Sequence, residues 1–474
     1  MKFTPEIEAF IKDYVADLAE GNVGIFAGAG LSKAAGFVDW PELLSDIAEE
    51  LGLKSHIEHD LISLAQYHVN ERGGRAGLIR KILQEFSEQA EASLSHQILA
   101  RLPIPTYWTT NYDTLIEDSL HVVPRVVDVK HQVKQLVSTK PKRDATVYKM
   151  HGDVNHAADA VITKEQYETY HRSHKAFITT LSSELASKTF LFLGFSFTDP
   201  NLDYVLSRLN YIFADAGKQH YCFVKEESDS EDTNGYIKRR QQLKINDLKR
   251  YKIKALMIKN YQDIPLILSE IENRFKKRTV FISGSAEEYG MWDRMEAQSL
   301  IHALSKRLIQ ANLRVVNGFG WGIGSAVING ALEAVYEQPN RFSEAQLVMR
   351  PFPQFSTGGK SLQEMWQSYR EKMISLTGIA IFIFGNKIEN EIVTDATGVR
   401  KEFEICLSQG VIPIPVASTS YMAQKLYEEV MSDAPNIYKG NEWIITELEV
   451  IAAYGNDAAK IIDKIVQIVK KINK

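Results

Sequence analysis

Short apolar runs alternate with amphipathic segments along the whole chain. In the first half the apolar runs have the length of strands, and the segments between them, such as 41–51 and 96–102, carry apolar residues at helical spacing. Apolar strands that alternate with amphipathic helices predict a parallel sheet covered on both faces. The strands predicted in this half are 23–27, 106–109, 146–150, 189–194, 220–224 and 254–258.

The same alternation begins again after a basic stretch at 276–278, which follows a helix predicted over 264–275. We therefore predict an α/β protein of two Rossmann-like domains, 1–276 and 277–474, each a parallel sheet flanked by helices. An acidic run at 226–232 predicts a solvated loop. The strands predicted in the second domain are 279–282, 313–316, 346–349, 379–384 and 411–416. Its predicted helices are 297–310, 325–336, 361–376, 400–408 and 458–472.

The composition argues against several classes of function. A net charge of -5 provides no concentrated basic surface for DNA or RNA. The two cysteines, Cys222 and Cys406, each lie in an apolar run, which predicts buried thiols in a reducing compartment and excludes a zinc ribbon. The first residues form no apolar signal core, and no apolar run is long enough to cross a bilayer. We therefore expect a cytoplasmic protein without a membrane partner.

The first predicted strand leads into a glycine turn, Gly28-Ala29-Gly30, and then into a helix that contains Ser32. In such a layout the backbone N–H groups and the helix N-terminus face the charge of a pyrophosphate. A turn of this kind also occurs as a plain connection, and Ser32 and Asp39 also fit as helix caps. The two interpretations are compatible, because both use the same unpaired N–H groups.

Polar residues stand at the ends of three further predicted strands. Thr110, Asn111 and Asp113 follow the second strand, His151-Gly152 follows the third, and Gly194 and Ser196 follow the fourth. Because the carboxyl ends of parallel strands meet at one crevice, we expect these residues to share a site with the glycine turn. Singly, the asparagine fits an Asx turn and the histidine a buried core position. Together they indicate a dinucleotide site beside reactive side chains, which is typical of an enzyme that breaks the dinucleotide.

These motifs, with Gly36-x-x-Asp39, occur in the order seen in the sirtuin family of NAD-consuming enzymes, which the first half of the chain resembles. The resemblance implies a Rossmann-like crevice that binds NAD and cleaves the bond between nicotinamide and ribose. It implies that His151 is the general base and that Asn111 and Asp113 orient the ribose and nicotinamide. It implies NAD contacts from Gly28, Ala29, Gly30, Ser32, Asp39, Thr110, Gly194 and Ser196.

The chain departs from the sirtuin deacetylases at 153–193, an interval without cysteine where those enzymes carry a four-cysteine zinc module. With no support for a groove that clamps an acyl-lysine peptide, water is the default acceptor. An imidazole titrates near neutral pH and can take a proton from water. We therefore expect hydrolysis of NAD+ to nicotinamide and ADP-ribose, without zinc or another cofactor. A protein deacylase and a non-enzymatic nucleotide sensor with two sites are the alternatives.

Two further glycine turns precede helices in the second half. Ser283-Gly284-Ser285 follows one predicted strand, and a turn with Gly320 and Gly322 follows the next. This glycine density predicts close approach of a phosphate, although a tight packing corner also explains it. Arg370 and Lys387 offer a bidentate fork and a point charge for phosphate, and solvated surface charge is the plain alternative.

This half resembles the SLOG family, whose members bind nucleotide-derived ligands. Residues 398–402 keep only part of the glutamate-centred motif with which some relatives act as enzymes, which favours sensing over cleavage of nucleoside monophosphates. The resemblance implies ligand contacts from Ser283, Gly284, Ser285, Gly320, Gly322, Arg370, Lys387 and Glu402.

A sirtuin-like half joined to a SLOG half resembles the NAD-depleting effectors of the bacterial Thoeris anti-phage system. The resemblance implies a partner protein with a TIR domain that makes a cyclic ADP-ribose isomer. That signal would bind the SLOG domain and switch on NAD hydrolysis. The resemblance also implies a homo-oligomer, commonly a tetramer, joined through the sirtuin-like halves.

Overall fold

The computed structural model describes residues 3–58, 60–87, 90–227 and 235–473. The chain divides into two compact units, Met1–Glu272 and Asn273–Lys474. Each unit contains a parallel sheet flanked by helices, which confirms the predicted pair of Rossmann-like α/β domains. From position 228 onward, the acidic run predicted as a solvated loop lies outside the described residues.

The sheet of the first unit is formed by parallel strands that include all six predicted ones. The strands are β1 (Val23–Ala27), β2 (Thr106–Thr109), β3 (Val127–Lys130), β4 (Ala145–Lys149), β5 (Thr189–Leu193), β6 (His220–Lys225) and β7 (Ile253–Ile258). Their order across the sheet is β3-β4-β2-β1-β5-β6-β7. Strand β3 was not predicted, because two of its four residues are charged and it forms no apolar run. Those two residues, Asp128 and Lys130, pair with each other at 2.9 Å.

The helices of the first unit cover this sheet. They are α1 (Pro5–Ala19), α2 (Ala29–Lys33), α3 (Trp40–Leu43), α4 (Ser45–Glu50), α5 (Leu61–Arg72), α6 (Ala76–Phe86), α7 (Leu94–Arg101), α8 (Leu115–Val122), α9 (Lys164–Ser173), α10 (Lys175–Ser187), α11 (Pro200–Phe213) and α12 (Tyr236–Leu248). Helix α13 (Asp263–Lys277) begins in this unit and ends in the second. The segment predicted as one helix at 41–51 forms the two short helices α3 and α4, because the backbone leaves helical geometry at Leu44.

Four strands of this sheet end in one row. Ala27 of β1 pairs with Thr109 of β2 and with Leu193 of β5, and Thr109 pairs with Lys149 of β4. Every residue of β1 and β5 is buried, as expected for central parallel strands covered on both faces. The segments that follow β1, β2, β4 and β5 therefore start from the same edge of the sheet.

The second unit repeats the architecture with a smaller sheet and a separate hairpin. Its strands are β8 (Thr279–Ser285), β9 (Arg314–Asn317), β10 (Leu347–Met349), β11 (Ile379–Phe384), β12 (Asn386–Glu389), β13 (Ile392–Asp395) and β14 (Ile412–Pro415). Strands β10-β9-β8-β11-β14 form the parallel sheet in that order. Strands β12 and β13 pair antiparallel and were not predicted.

The helices of the second unit surround its sheet and share its core. They are α14 (Arg294–Gln310), α15 (Gly324–Glu337), α16 (Leu362–Ile374), α17 (Thr397–Ser408), α18 (Tyr421–Ser432), α19 (Ala434–Ile437), α20 (Trp443–Ala453) and α21 (Ala458–Ile472). Helix α21 has the bounds that the sequence predicted and buries a stripe of six apolar side chains. Within the described ranges, no helix combines the length and the apolarity needed to cross a bilayer.

Candidate active site and ligand site

Ser32, Asn111 and Asp113 form one hydrogen-bonded cluster at the end of the first sheet. The Asn111 amide nitrogen Nδ2 donates to Ser32 Oγ at 2.8 Å and to the main-chain oxygen of Gly28 at 3.0 Å. Ser32 Oγ in turn donates to Asp113 Oδ2 at 2.7 Å. Asp113 Oδ1 accepts from the main-chain nitrogen of Leu115 at 3.1 Å, at the start of α8. The segment after β2 and the glycine turn after β1 are thereby fixed to each other.

The glycines of this turn are required by contact between two backbone segments. A Cβ at Gly28 would lie 2.5 Å from the main-chain oxygen of Gly194, and a Cβ at Gly194 would lie 2.1 Å from the main-chain nitrogen of Leu31. Gly194 also has φ of +62°, which favours glycine. The N–H of Gly30 donates to the oxygen of Gly194 at 2.9 Å. Packing of the turn against the end of β5 thus accounts for these glycines, and they add no independent evidence for a phosphate.

His151 lies just after β4 in a buried polar pocket, with only 1% of its surface exposed. Its Nδ1 is 3.2 Å from the hydroxyl of Tyr167 on α9. Its Nε2 is 3.3 Å from Asp199 Oδ2 and 3.5 Å from Asn201 Nδ2. Both partners of Nε2 belong to the segment that connects β5 with α11 and begins that helix. The ring is therefore held between elements that follow two different strands.

The charge state of His151 is decided by burial. Burial lowers the pKa of the imidazole, and the Asp199 carboxylate partly opposes that effect. The ring is therefore neutral near pH 7, and a neutral imidazole has one nitrogen that can accept a proton. This is the protonation state that a general base requires.

Lys149, the last residue of β4, connects the segments that carry Asn111 and His151. Its side chain is fully buried, and its Nζ donates to the main-chain oxygens of Asp113 at 2.6 Å and Tyr112 at 3.2 Å. Its charge is balanced by Asp153 at 2.5 Å and Glu117 at 3.0 Å. Burial favours the neutral amine, but the two carboxylates outweigh it and raise the pKa of Lys149. The lysine is thus charged, and it holds both segments at fixed positions.

The remaining residues predicted for NAD lie around this cluster in different roles. Asp39 caps α3 by accepting from the main-chain nitrogen of Glu42 at 3.2 Å, and it pairs with Lys33 at 2.6 Å. Ser196 shares a hydrogen bond of 2.8 Å with Thr198 on the exposed segment after β5. Ala29 opens α2, and Thr110 is half-buried beside Asn111. The cap interpretation of Asp39 is therefore correct, and its contact with NAD stays a prediction.

Sequence reasoning missed three residues of this site: Asp199, Tyr167 and Lys149. The signal for Asp199 was its position before Pro200 at the start of a helix, just after a motif already singled out. Tyr167 is one of several aromatic residues in the cysteine-free interval 153–193, which has a helical pattern and no motif that marks Tyr167 as part of a site. Lys149 carried a detectable signal, because a lone lysine ended an apolar strand two residues before His151.

In the second unit, Ser283, Arg370 and Glu402 lie together at the end of β8. Glu402 Oε2 accepts from Ser283 Oγ at 2.6 Å, and Oε1 is 3.6 Å from Arg370 Nε. Burial raises the pKa of Glu402, which Ser283 and Arg370 oppose. The guanidinium of Arg370 lies 5.0 Å above the ring centre of Phe352. Because Nε is paired with Glu402, the hydrogen-bonding capacity left for a ligand lies on the two Nη groups of Arg370.

The glycine turns of this unit pack against each other. A Cβ at Gly320 would lie 2.0 Å from the main-chain oxygen of Gly284, and a Cβ at Gly322 would lie 1.8 Å from that of Ala286. Ser285 Oγ donates to the main-chain oxygen of Asn386 at 2.8 Å. The packing corner named as an alternative is therefore present, and it explains the glycines without a phosphate.

Lys387 pairs with Glu389 on the same strand, β12, at 3.0 Å. Its neighbour Asn386 is fully buried, and its Oδ1 accepts from the main-chain nitrogens of Glu287 and Glu288 at 2.9 and 3.1 Å. Asn386 thus fixes the hairpin to the segment after β8. The structure brings together Ser283, Arg370 and Glu402, and it places Lys387 on the hairpin that begins beside them.

No group of three or more histidine, cysteine, aspartate and glutamate side chains is placed to hold a metal ion in the described part of the chain. Both cysteines are buried free thiols, as predicted.

Comparison with known proteins gives matches on both units. A model of the SIR2-like domain family matches residues 105–247, and a model of the Sir2- and TIR-associating SLOG family (STALD) matches residues 263–472. A Bacillus cereus (strain MSX-D12) protein named NAD(+) hydrolase ThsA is 48% identical over 445 residues, which cover 93% of each chain.

Two further proteins of the same name are similar over nearly the whole length. The one from Cytobacillus dafuensis is 44% identical and covers 98% of this chain and 96% of its own. The one from Acinetobacter baumannii (strain 532279) is 40% identical and covers 99% of this chain and 100% of its own. These relatives therefore span both units rather than one.

Proposed function

The chain belongs to the family of the NAD(+) hydrolases ThsA, and on that premise we propose that it hydrolyses NAD+ to nicotinamide and ADP-ribose at the end of its first sheet. The observation that carries the proposal is the juxtaposition of the Ser32–Asn111–Asp113 cluster with the segment that bears His151. We place the reaction in bacterial anti-phage defence by NAD depletion, as in the Thoeris system.

The chemistry follows from the charge that develops when nicotinamide leaves. The ribose becomes oxocarbenium-like, so the site must hold the leaving group and present water to the opposite face. Asn111 is held rigidly by Gly28 and Ser32, which suits a residue that orients the ribose and nicotinamide. His151 is neutral and takes the proton of the attacking water. Water completes the reaction, and we propose no zinc or other cofactor.

Release of nicotinamide from NAD+ by the purified full-length chain tests this proposal. We expect turnover in the wild type and its loss in Asn111→Ala and in His151→Ala. Ser187→Ala is the matched control, because that hydroxyl bonds only the main chain of its own helix α10. Undiminished turnover in both site variants would remove these residues from the mechanism. Turnover that requires an acyl-lysine peptide would instead favour a deacylase, and NAD+ binding without release would favour a sensor.

We propose that the second unit regulates this reaction by binding a cyclic ADP-ribose isomer made by a partner protein with a TIR domain. Support comes from Arg370, whose two Nη groups have hydrogen-bonding capacity left for a ligand, and from the matched family, which is described as Sir2- and TIR-associating. Unregulated NAD hydrolysis would kill the host cell, so the resting protein must be inactive. A ligand activates it only by binding the active state more tightly than the resting state.

Isothermal titration of the full-length chain with a panel of cyclic ADP-ribose isomers, together with turnover assays, tests the regulation. We expect one isomer to bind and to increase turnover, whereas linear ADP-ribose serves as the control. Binding of no isomer, or binding without a change in turnover, would contradict the proposal.

The assembly and location of the protein complete the proposal. We propose a cytoplasmic homo-oligomer, a tetramer joined through the sirtuin-like units, with no nucleic-acid or membrane partner. Light scattering of the purified chain measures the mass, and a monomer of 53.7 kDa at assay concentration would contradict the assembly.

A further inference from the structure

Asp199 is held by the start of a helix so that its free oxygen faces His151. It is the N-cap of α11, where Oδ1 accepts from the main-chain nitrogens of Asn201 and Leu202, each at 2.9 Å. Its Oδ2 lies 3.3 Å from His151 Nε2. The capping bonds therefore fix the direction of the second oxygen, and the carboxylate has one orientation relative to the ring.

This contact decides which nitrogen of the ring carries the proton. An ionised carboxylate only accepts hydrogen bonds, so the nitrogen that faces it must donate. The amide of Asn201 also approaches Nε2, but at 3.5 Å, and a charged partner at 3.3 Å outweighs a neutral one at that distance. The neutral ring thus carries its proton on Nε2, and its lone pair lies on Nδ1. That lone pair faces the hydroxyl of Tyr167 at 3.2 Å.

We propose that Asp199 is the positioning residue of His151, which holds the proton of the neutral ring on Nε2 and makes Nδ1 the atom that receives a proton from water through the hydroxyl of Tyr167. The inference rests on the proposed hydrolysis of NAD+. The oxygen of water bonds to the ribose carbon, and the bond from that carbon to nicotinamide breaks. The water gives a proton to the hydroxyl of Tyr167, which passes its own proton to Nδ1. Nicotinamide leaves neutral, and the imidazolium returns its proton to solvent. A second water proton remains on the new hydroxyl of ADP-ribose.

The charges around the ring agree with this role. Burial lowers the pKa of His151, whereas Asp199 raises it and so strengthens Nδ1 as a base. The other titratable side chains near the ring are Tyr167 and Tyr170, whose hydroxyl pKa values burial raises well above 10, and His174, whose pKa burial lowers. All three are neutral near pH 7, so Asp199 supplies the negative charge beside this ring.

Asp199→Asn tests the proposal because asparagine caps a helix as well as aspartate but carries no charge. We expect kcat for nicotinamide release to fall about tenfold to hundredfold, with KM for NAD+ unchanged. Because the pKa of His151 falls when the carboxylate is removed, the acid limb of the kcat profile should move to lower pH. Asp293→Asn, which changes the N-cap of α14 in the second unit, is the matched control and should leave kcat and the profile unchanged.

The outcomes separate this inference from the proposed function. If His151→Ala is inactive while Asp199→Asn keeps the wild-type kcat and acid limb, the inference is wrong and the hydrolysis stands. A loss of kcat with an unmoved acid limb also overturns the inference, since a merely structural role lowers turnover at every pH. If His151→Ala retains full turnover, the proposed active site itself is wrong. Asp199→Ser, which also keeps a cap, replaces the asparagine variant if that variant does not fold.

Discussion

The ammonium group of Lys149 donates a hydrogen bond of 2.6 Å to the main-chain oxygen of Asp113. The bond joins the end of β4 to the segment after β2, across a pair of neighbouring strands. A charged side chain with no exposed surface thus positions the residues on both sides of the cluster. Its neighbours Glu117 and Asp153 keep the charge in place, and burial of that charge is the cost of the arrangement.

Lys149→Met should destabilise the first unit strongly. Removal of the ammonium leaves the carboxylates of Glu117 and Asp153 buried without their partner, which costs about 3–5 kcal/mol of unfolding free energy. Urea denaturation of the full-length chain measures the loss. Lys460→Met, which breaks an exposed pair with Asp457, is the control and should change little. Equal unfolding midpoints for the two variants would show that the buried network does not hold the segments together.

Gly194→Ala should disrupt the junction between β5 and the glycine turn. The added Cβ would lie 2.1 Å from the main-chain nitrogen of Leu31, and backbone atoms cannot move aside cheaply. Gly52→Ala separates this collision from the strain of a positive φ, because Gly52 has φ of +71° with nothing within 4 Å of the added atom. We expect about 1–2 kcal/mol for Gly52→Ala and a larger loss for Gly194→Ala in thermal unfolding. Equal losses would assign the whole effect to backbone conformation.

His220 should make the protein less stable in acid. His220 is the first residue of β6 and is buried. Its Nδ1 accepts a hydrogen bond from the main-chain nitrogen of Phe190 at 3.2 Å, and only an unprotonated nitrogen can accept that bond. Burial lowers its pKa from 6.5 to about 4. The folded-state pKa is below the unfolded value, so this contribution is complete above pH 6.5 and is lost as pH falls toward 4.

The size of that loss follows from the shift in the pKa of His220. A change from 6.5 to about 4 corresponds to about 3 kcal/mol of unfolding free energy across the interval. Urea denaturation between pH 7 and pH 4 measures it, and His220→Asn, whose amide oxygen can accept the same bond, should lose less on acidification. His56→Asn at an exposed position is the control and should follow the wild type. A His220→Asn curve parallel to the wild type would contradict the prediction.

Arg370→Ala should eliminate activation by the cyclic nucleotide without unfolding the second unit. The guanidinium of Arg370 stacks on Phe352 and pairs through Nε with Glu402 at 3.6 Å, so its two Nη groups offer a flat charged fork to a phosphate. Arg370→Lys keeps the charge but not the fork, and we expect it to restore little of the activation. Titration calorimetry and turnover with the activating isomer measure the effect, and Arg307→Ala on the exposed face of α14 is the control. Wild-type activation of Arg370→Ala would exclude the assigned pocket.

The sheet edge that carries Asn111 and His151 could be predicted from the sequence, because strand ends follow directly from hydrophobic periodicity. Asn111 and His151 each stand two residues beyond a registered pair, Thr109 and Lys149, so their proximity required only that the strands be parallel neighbours. Strand β11 and helix α21 have the predicted bounds because each is a continuous apolar run or a regular apolar stripe.

The contacts that could not be predicted from the sequence depend on the paths of the segments that connect strands and helices. Asp199 reaches His151 because the chain after β5 passes toward the end of β4, two strands beyond its neighbour β1. No spacing in the sequence encodes that path. The role of the glycines also could not be predicted from the sequence. A bound phosphate and a nearby backbone segment such as that of Gly194 both leave no room for a Cβ, so both favour glycine. The hairpin of β12 and β13 was missed since its two short strands mix polar and apolar residues and, apart from Asn386, are not buried.

The amide of Asn111 directs both of its hydrogens inward, to Ser32 and to Gly28. The atom it can present to a substrate is therefore an oxygen, which attracts hydroxyl and carboxamide N–H groups and repels phosphate oxygens. A dinucleotide that enters this crevice would therefore bind in one orientation. Its sugar hydroxyls or the nicotinamide amide would lie beside Asn111, and its diphosphate would lie elsewhere. The orientation of the Asn111 amide thus determines which end of the dinucleotide binds beside it.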